Sequence, residues 1–290
     1  MHTYVCIKQT PDSTSVYVDP ITGQVDGERF VQVLNPADAC AIEAAVRLKE
    51  QVGGTVTILT LGPHDAEGAL RAGLALGADT ALRLWHDTAG EWGPFTVAKA
   101  LATYIQSVDA SPDLILCGDT SSDWSSGIVG PALAQYLDIP QITSVAQLSL
   151  AQQQESTRLR VTRKLERGYR EILELETPCV LTVTADLNEP RYPSLPAHLA
   201  ALKAPISVLD PQSFISNDYE DTDEMILLEM HTPRPRPRYV AAPNSKESAY
   251  RRIGDIVSGG ATGRKARLME GTPEELARTL VEFLQTRGFV

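Results

Sequence analysis

The sequence predicts an α/β chain: a doubly wound, mainly parallel sheet extended by antiparallel strands, with a C-terminal arm ending in a helix. Three observations predict it. Short unbroken apolar runs such as Leu114–Cys117 read as strands buried on both faces. Up to about residue 137 such runs alternate with segments of helical spacing, the cadence of a parallel sheet with crossover helices. Beyond Pro140 the runs alternate more and carry more charge, and a Pro-rich stretch then precedes one last amphipathic segment.

Taken in order, Tyr4–Ile7 is the first strand, followed by Lys8-Gln9-Thr10-Pro11-Asp12. Val16–Val18 and Ile21–Val25 read as a hairpin around a Pro/Gly turn. Asn35 is placed to cap a helix with Pro36 in its first turn, running to about Gln51 and stopping at Gly53-Gly54. Thr55–Leu61 is a second strand, closed by Gly62-Pro63; a helix from about Asp65 ends at Gly77. Thr80–Leu84 is a third strand and Pro94 opens a helix with Val97, Leu101 and Ile105 on one face. Val145–Leu150, Thr157–Thr162, Arg170–Leu175 and Val180–Thr184 read as antiparallel strands. Asp186–Pro205 is Pro-rich without a strand pattern. Pro233–Arg238 reads as an extended, polyproline-like linker, and Thr272-Pro273-Glu274-Glu275 caps a last helix with Leu276, Leu280, Phe283 and Leu284 on one stripe.

The 290 residues are 43% hydrophobic, enough for a full core, and no apolar run approaches the ~20 residues that span a bilayer. A strand begins almost at once, so no signal peptide is expected, and a prokaryotic cytoplasmic protein, or one already mature, fits best. The net charge of −11 is uneven: residues 1–230 hold 15 Lys/Arg against 31 Asp/Glu, residues 231–290 hold 11 against 6. An acidic body argues against nucleic acid, and a basic tail on it points either to contact with another acidic surface, such as that of a second chain, or to a solvated tail. Cys6, Cys40, Cys117 and Cys179 are scattered and read as small buried hydrophobes. His2, His64, His86, His198 and His231 show no paired spacing with Cys or acids, so no metal site is expected.

The stretch with the clearest chemical content follows the fourth strand. Gly118, Asp119, Thr120, Ser121, Ser122, Asp123, Trp124, Ser125, Ser126 and Gly127 lead through Ile128 into a helix starting at Val129. A hydroxyl-rich loop from a strand's carboxyl end to a helix start is where open α/β sheets hold phosphates. It exceeds the usual two to six residues of such a connection. It is neither a P-loop, since no Gly-Lys-Ser/Thr closes it, nor a Gly-x-Gly-x-x-Gly turn. Trp124 either stacks on a ligand ring or covers the loop.

Several motifs resemble the beta subunit of electron-transferring flavoproteins. They are Lys8-Gln9-x-Pro11-Asp12, Leu34-Asn35-Pro36-x-Asp38 continuing through Ile42-Glu43 to Val46-Arg47-Leu48-Lys49-Glu50, Gly62-Pro63, Leu70–Asp79, and Leu187-Asn188-Glu189-Pro190-Arg191-Tyr192-Pro193-Ser194-Leu195-Pro196. The resemblance covers about residues 3–210 and implies an adenine-nucleotide-hydrolase-like α/β domain with a C-terminal arm. It implies a heterodimer whose alpha subunit holds most of a redox-active FAD, while the beta subunit buries AMP, or a second FAD in electron-bifurcating types. By position, the nucleotide is expected at Cys6, at Asn35, Pro36, Ala37 and Asp38, at Leu61, and along Gly118 to Val129. Arg191, Tyr192 and Leu195 are expected to face a partner flavin dehydrogenase, with a membrane quinone oxidoreductase among the acceptors. Residues 1–210 then form the nucleotide-binding domain, and 211–290 the linker and arm contacting the alpha subunit.

The loop departs from the family pattern Gly-Lys-Gln-x-Ile-Asp-x-Asp-x-x-Gln-x-Gly. Asp119 stands for the Lys, Thr120 for the first Gln and Ile128 for the second, while Gly118, Asp123 and Gly130 remain. The family's Ile-Met-Lys-Ala-Lys-Lys after Pro196 is also replaced, by Ala197–Lys203. An ATP-activating enzyme of this fold group would need a Ser-Gly-Gly-x-Asp-Ser loop after the first strand, where Lys8-Gln9-Thr10-Pro11 stands instead. Ser258-Gly259-Gly260 lies in the tail and reads as a helix stop. A stand-alone nucleotide-binding module would leave residues 187–196 unexplained. The resemblance thus implies an electron carrier subunit without bond-making residues of its own.

Overall fold

A computed structural model describes residues 1–17, 19, 30–108, 112–151, 158–211, 248–257 and 271–286. The expected hairpin at 16–25, the linker at 233–238 and the helix stop at 258–260 lie wholly or largely outside the described residues. The chain divides into two compact units, Met1–Pro233 and Arg234–Val290.

The first unit begins with β1 (His2–Cys6), β2 (Gln9–Pro11) and β3 (Gln32–Leu34), then α1 (Pro36–Val52), β4 (Thr55–Leu61), α2 (Glu67–Leu76) and β5 (Thr80–Leu84). It continues with α3 (Pro94–Val108), β6 (Leu114–Gly118), α4 (Val129–Leu137) and β7 (Gln141–Ala151). Then come β8 (Arg158–Lys164), β9 (Arg170–Glu176), β10 (Cys179–Val183), α5 (Leu195–Lys203) and β11 (Ser207–Leu209). Nine strands form one sheet in the order β11-β5-β4-β1-β6-β10-β7-β8-β9, parallel from β11 to β7 and antiparallel across β7, β8 and β9. β2 and β3 pair as a separate antiparallel ribbon.

Alternation along the central strands divides the core into two layers. Val5 and Ile7, Leu114 and Leu116, and Leu181 and Val183 pack with residues of α1 and α2. Tyr4 and Cys6, Ile115 and Cys117, and Val180 pack with residues of α3 and α4. Helices therefore cover both faces, and the central strands read as unbroken apolar runs because neither face meets water. From β1 the chain winds outward to β4 and β5, then returns to place β6 on the other side of β1. The β1–β6 seam is thus the topological switch point, and its carboxyl edge is the crevice where doubly wound sheets bind ligands.

One expectation is corrected, and the Pro-rich stretch gains a helix. Residues 180–184 do not extend an antiparallel ribbon: β10 is inserted between β6 and β7 and runs parallel to both. All five of its residues are buried, so its environment is that of a central strand. Within the Pro-rich stretch, residues 195–203 form a helix: Ser194 caps α5, its Oγ accepting from Ala197 N–H at 3.3 Å, and Pro196 is tolerated in the first turn. α5 packs on α2.

In the second unit the described residues form α6 (Ala249–Val257) and α7 (Pro273–Thr286). α7 begins with a capping box: Thr272 N–H donates to Glu275 Oε2 at 2.9 Å, and Glu275 N–H to Thr272 Oγ1 at 3.4 Å. No helix among the described residues is long and apolar enough to cross a membrane.

Candidate functional site

The strands are parallel, so their carboxyl ends share one edge of the sheet. Cys6 closes β1, Leu61 closes β4 and Gly118 closes β6, with Cys6 and Cys117 in register. Asn35 to Asp38 open α1 at this edge, and Asp119–Ile128 runs from β6 to Val129 at the start of α4.

Asp38 organises the edge. Its buried carboxylate accepts from Lys8 N–H at 2.7 Å and from Gly118 N–H at 2.8 Å, joining the ends of β1 and β6 to the first turn of α1. Burial pushes its pKa up to about 7, against the pull of those two N–H groups, of Asn35 and of the Lys8 charge. Gly118 is required by this packing, because a Cβ there would lie inside contact distance of Asp38 Oδ1 and 2.9 Å from Ala37 Cβ.

Asn35 occupies the capping position of α1, but its side chain does not cap the helix. Its Nδ2 donates to Thr120 O at 3.0 Å and its Oδ1 accepts from Ser122 N–H at 3.2 Å, so the amide stitches the loop to the helix start. The expected capping role is corrected accordingly. An amide buried beside two free backbone groups satisfies both at once, which one cap bond would not.

Two further residues grip the loop, Lys8 and Thr10, and sequence reasoning left both out of the site. Lys8 Nζ donates to Asp123 Oδ2 at 2.6 Å, and Ser122 Oγ donates to Thr10 Oγ1 at 2.9 Å. Their signal was the Lys8-Gln9-x-Pro11-Asp12 motif, directly after a strand whose end faces the loop. Asp123 is partly buried, yet the bond from Lys8 and those from Ser121 and Trp124 hold its carboxyl below the usual range. Asp119 moves the other way: burial raises it, with Thr120 and the charge of Lys164 opposing. Lys164 itself pairs with Asp186. The cations at this edge thus come from β8 and from the segment after β1.

The loop bends through Ser125 and Gly127, both in the left-handed region at φ 52° and 64°. Ser125 N–H and Oγ both donate to Ser121 O at 3.0 Å. The N–H groups of Gly127, Ile128, Val129 and Gly130 donate to no acceptor among the described residues. Four backbone donors where a helix starts, with the hydroxyls of Ser121, Ser122 and Ser126 nearby in the chain, suit a phosphate. Asp119 opposes that fit and Lys8 favours it. Trp124 is exposed. The thiols beneath are not nucleophiles: burial, then the Asp38 charge, pushes Cys6 to about 12, and burial with neighbouring charges raises Cys117 well above its ordinary value. Among the described residues no cluster of His, Cys, Asp and Glu is placed to hold a metal.

Arg191, Tyr192 and Leu195 lie apart from this edge. The Arg191 guanidinium faces its own chain, with Nε donating to Glu43 Oε2 at 2.9 Å and Nη1 to Glu50 Oε1 at 2.6 Å. Tyr192 is 99% exposed and Leu195, the first residue of α5, is 70% exposed. Leu199 and Leu202, each half-exposed, continue that apolar stripe at helical spacing.

The model of the electron transfer flavoprotein domain matches residues 23–213. An electron transfer flavoprotein subunit beta of Thermoanaerobacterium thermosaccharolyticum is 42% identical over 195 residues, 67% of this chain and 72% of the relative. Subunit CarD of a caffeyl-CoA reductase-Etf complex from Acetobacterium woodii is 37% identical over 72% of this chain and 78% of its own. An electron transfer flavoprotein subunit beta of Bacillus subtilis is 32% identical over the full length of both chains. With the family model spanning most of the sheet unit and a beta subunit matching end to end, this chain belongs to the electron transfer flavoprotein family as a beta-subunit member.

Proposed function

We propose that this chain forms a heterodimer with an electron transfer flavoprotein alpha subunit and holds AMP at the β1–β6 edge. The complex carries electrons from flavin dehydrogenases, acyl-CoA dehydrogenases for example, to a membrane quinone oxidoreductase or another acceptor. The FAD, held mostly by the alpha subunit, supplies the redox chemistry when bound. This chain positions rather than reacts. Gly118 to Val129 cradle the phosphate, Asn35 to Asp38 fix the loop, and Cys6 and Leu61 line the edge. The arm at 211–290 contacts the alpha subunit, and the dehydrogenase meets the stripe of Tyr192 and Leu195. A cytoplasmic location goes with this reading.

The observation that carries the proposal is the pairing of free N–H groups at the start of α4 with a loop stitched to α1 at the topological switch point. Denaturing the purified heterodimer and quantifying the released nucleotides by chromatography tests it. One FAD and one AMP per heterodimer is expected. Two FAD would overturn AMP in favour of an electron-bifurcating type with a second flavin here. One FAD without AMP would mean that Asp119, standing where the family pattern has Lys, has abolished binding.

A further inference from the structure

The stripe on α5 is not a free loop surface, because it is pinned at both ends by charged side chains of the two neighbouring helices. On α1, one row of residues follows the segment leading to α5. Cys40 Sγ donates to Ala185 O and Asn188 O at 3.4 Å, and its carbonyl accepts from Asn188 Nδ2 at 3.0 Å. Arg47 Nη2 donates to Glu189 O at 3.1 Å. Glu43 and Glu50 together take the Arg191 guanidinium, and Glu43 Oε2 also accepts Arg191 backbone N–H at 3.1 Å. Residues 40, 43, 47 and 50 recur every three or four positions, so one helix face contacts this segment over three turns. The Glu43 carboxylate is buried and completed by Arg47 Nε at 2.5 Å; despite burial, its bonds to Arg191 and Arg47 hold it below its ordinary range.

At the other end, Arg71 on α2 donates through Nη1 to the carbonyls of Ala201 and Leu202, each at 2.9 Å, and of Ala204 at 3.4 Å. These include the carbonyl of Leu202 in the last turn of α5, where helix carbonyls lack partners within the helix; that of Ala201 also accepts from Ala204 N–H at 3.4 Å. α5 has nine residues, too few to be stable alone in water. Its order therefore comes from its surroundings, the pins together with its packing on α2.

We propose that Glu43, Glu50 and Arg191 at one end and Arg71 at the other are positioning residues that hold α5 as a preformed docking surface. Resting on the reading of Tyr192 and Leu195 as the dehydrogenase contact, this assigns Arg191 to positioning that contact rather than to touching the dehydrogenase. A surface ordered before encounter does not have to be ordered during it, which is the general advantage of preorganisation.

The test uses the full chain in complex with its alpha subunit and an acyl-CoA dehydrogenase of the same organism as donor. Amide hydrogen exchange of residues 197–203 is compared with that of β1 and β6. In Arg191→Met, exchange across α5 should rise about tenfold or more while β1 and β6 stay protected, because local opening is governed by the pins and not by the sheet. Arg191→Lys, which keeps the charge but not the fork, should restore part of the protection. The KM for the dehydrogenase should rise with kcat unchanged. Unaltered α5 exchange in Arg191→Met overturns the proposal, and a raised KM alongside it would make Arg191 a direct contact. Faster α5 exchange with an unaltered KM upholds the pins and instead sinks the docking reading. If loss of the Glu43 partner unfolds the chain, Glu50→Gln and Arg71→Met test the two ends separately, each expected to loosen its own end of α5.

Discussion

Two segments of this chain carry its surface chemistry, and α1 holds both in opposite ways. At the start of α1, Asn35 grips the 119–128 loop and Asp38 grips Gly118, where the loop leaves β6, and all these bonds go to backbone groups. Its later turns grip residues 189 and 191 through Glu43, Arg47 and Glu50, which use full charges. The first segment keeps backbone donors open at the helix start and presents hydroxyls. The second has its polar groups tied down and presents Tyr192 and Leu195 to solvent. The difference teaches what each surface suits. Open donors suit an anion, whereas an apolar surface on a satisfied backbone suits another protein's apolar side chains.

The comparison breaks most severely at Gly118. In Gly118→Ala the new Cβ meets Asp38, Ala37 and Asn35 together, and the backbone must move at the joint between β1, α1 and β6. A loss of roughly 1–3 kcal/mol or more is expected in urea unfolding, with nucleotide affinity falling alongside. An unchanged midpoint would mean that the edge is looser than its geometry.

Asp38→Asn is expected to come next. The amide keeps one acceptor but turns an NH2 toward Lys8 N–H or Gly118 N–H, which costs about 1–3 kcal/mol for the donor left unpaired. The folded pKa of Asp38, about 7, lies above its ordinary 3.8, so the folded chain holds the proton more tightly. Its contribution is then full below about 3.8 and is lost as pH rises through about 7. Unfolding measured from pH 4 to 8 should show wild type losing stability across that window through this group, and Asp38→Asn not. The gap between the two narrows with rising pH. A gap independent of pH would mean that Asp38 is ionised throughout.

Leu195→Ala should have the smallest effect on stability and a clear one on docking. Leu195 is mostly exposed, so unfolding should shift by no more than about 0.5 kcal/mol. The KM for the dehydrogenase should rise about tenfold with the flavin spectrum unchanged, as for a side chain buried only in the complex. An altered spectrum or a large stability loss would assign Leu195 to packing.

The sequence by itself determined the sheet class, the order of β1, β4, β5 and β6 with α1, α2 and α3 between them, and the loop after Gly118, but not the β2–β3 ribbon. Each is written in local terms, as unbroken apolar runs, Gly stops and a hydroxyl-rich gap. The capping box at Thr272 was readable for the same reason. The family motifs also marked Asn35, Asp38 and Arg191, but not what each side chain does. Those roles depend on residues far away in sequence: Asn35 meets Thr120, and Arg191 meets Glu43 and Glu50. β10 shows the same division. The sequence marked Val180–Thr184 as a strand but grouped it with the antiparallel ones, and its slot between β6 and β7 comes from pairing with strands far earlier in the chain. α5 was not read because it begins inside a Pro-rich stretch, although its one proline, Pro196, sits in the first turn, where its missing N–H is harmless. Only the fold decided these points, because hydrogen bonds and ion pairs reward closeness in space, and local spacing records closeness only along the chain.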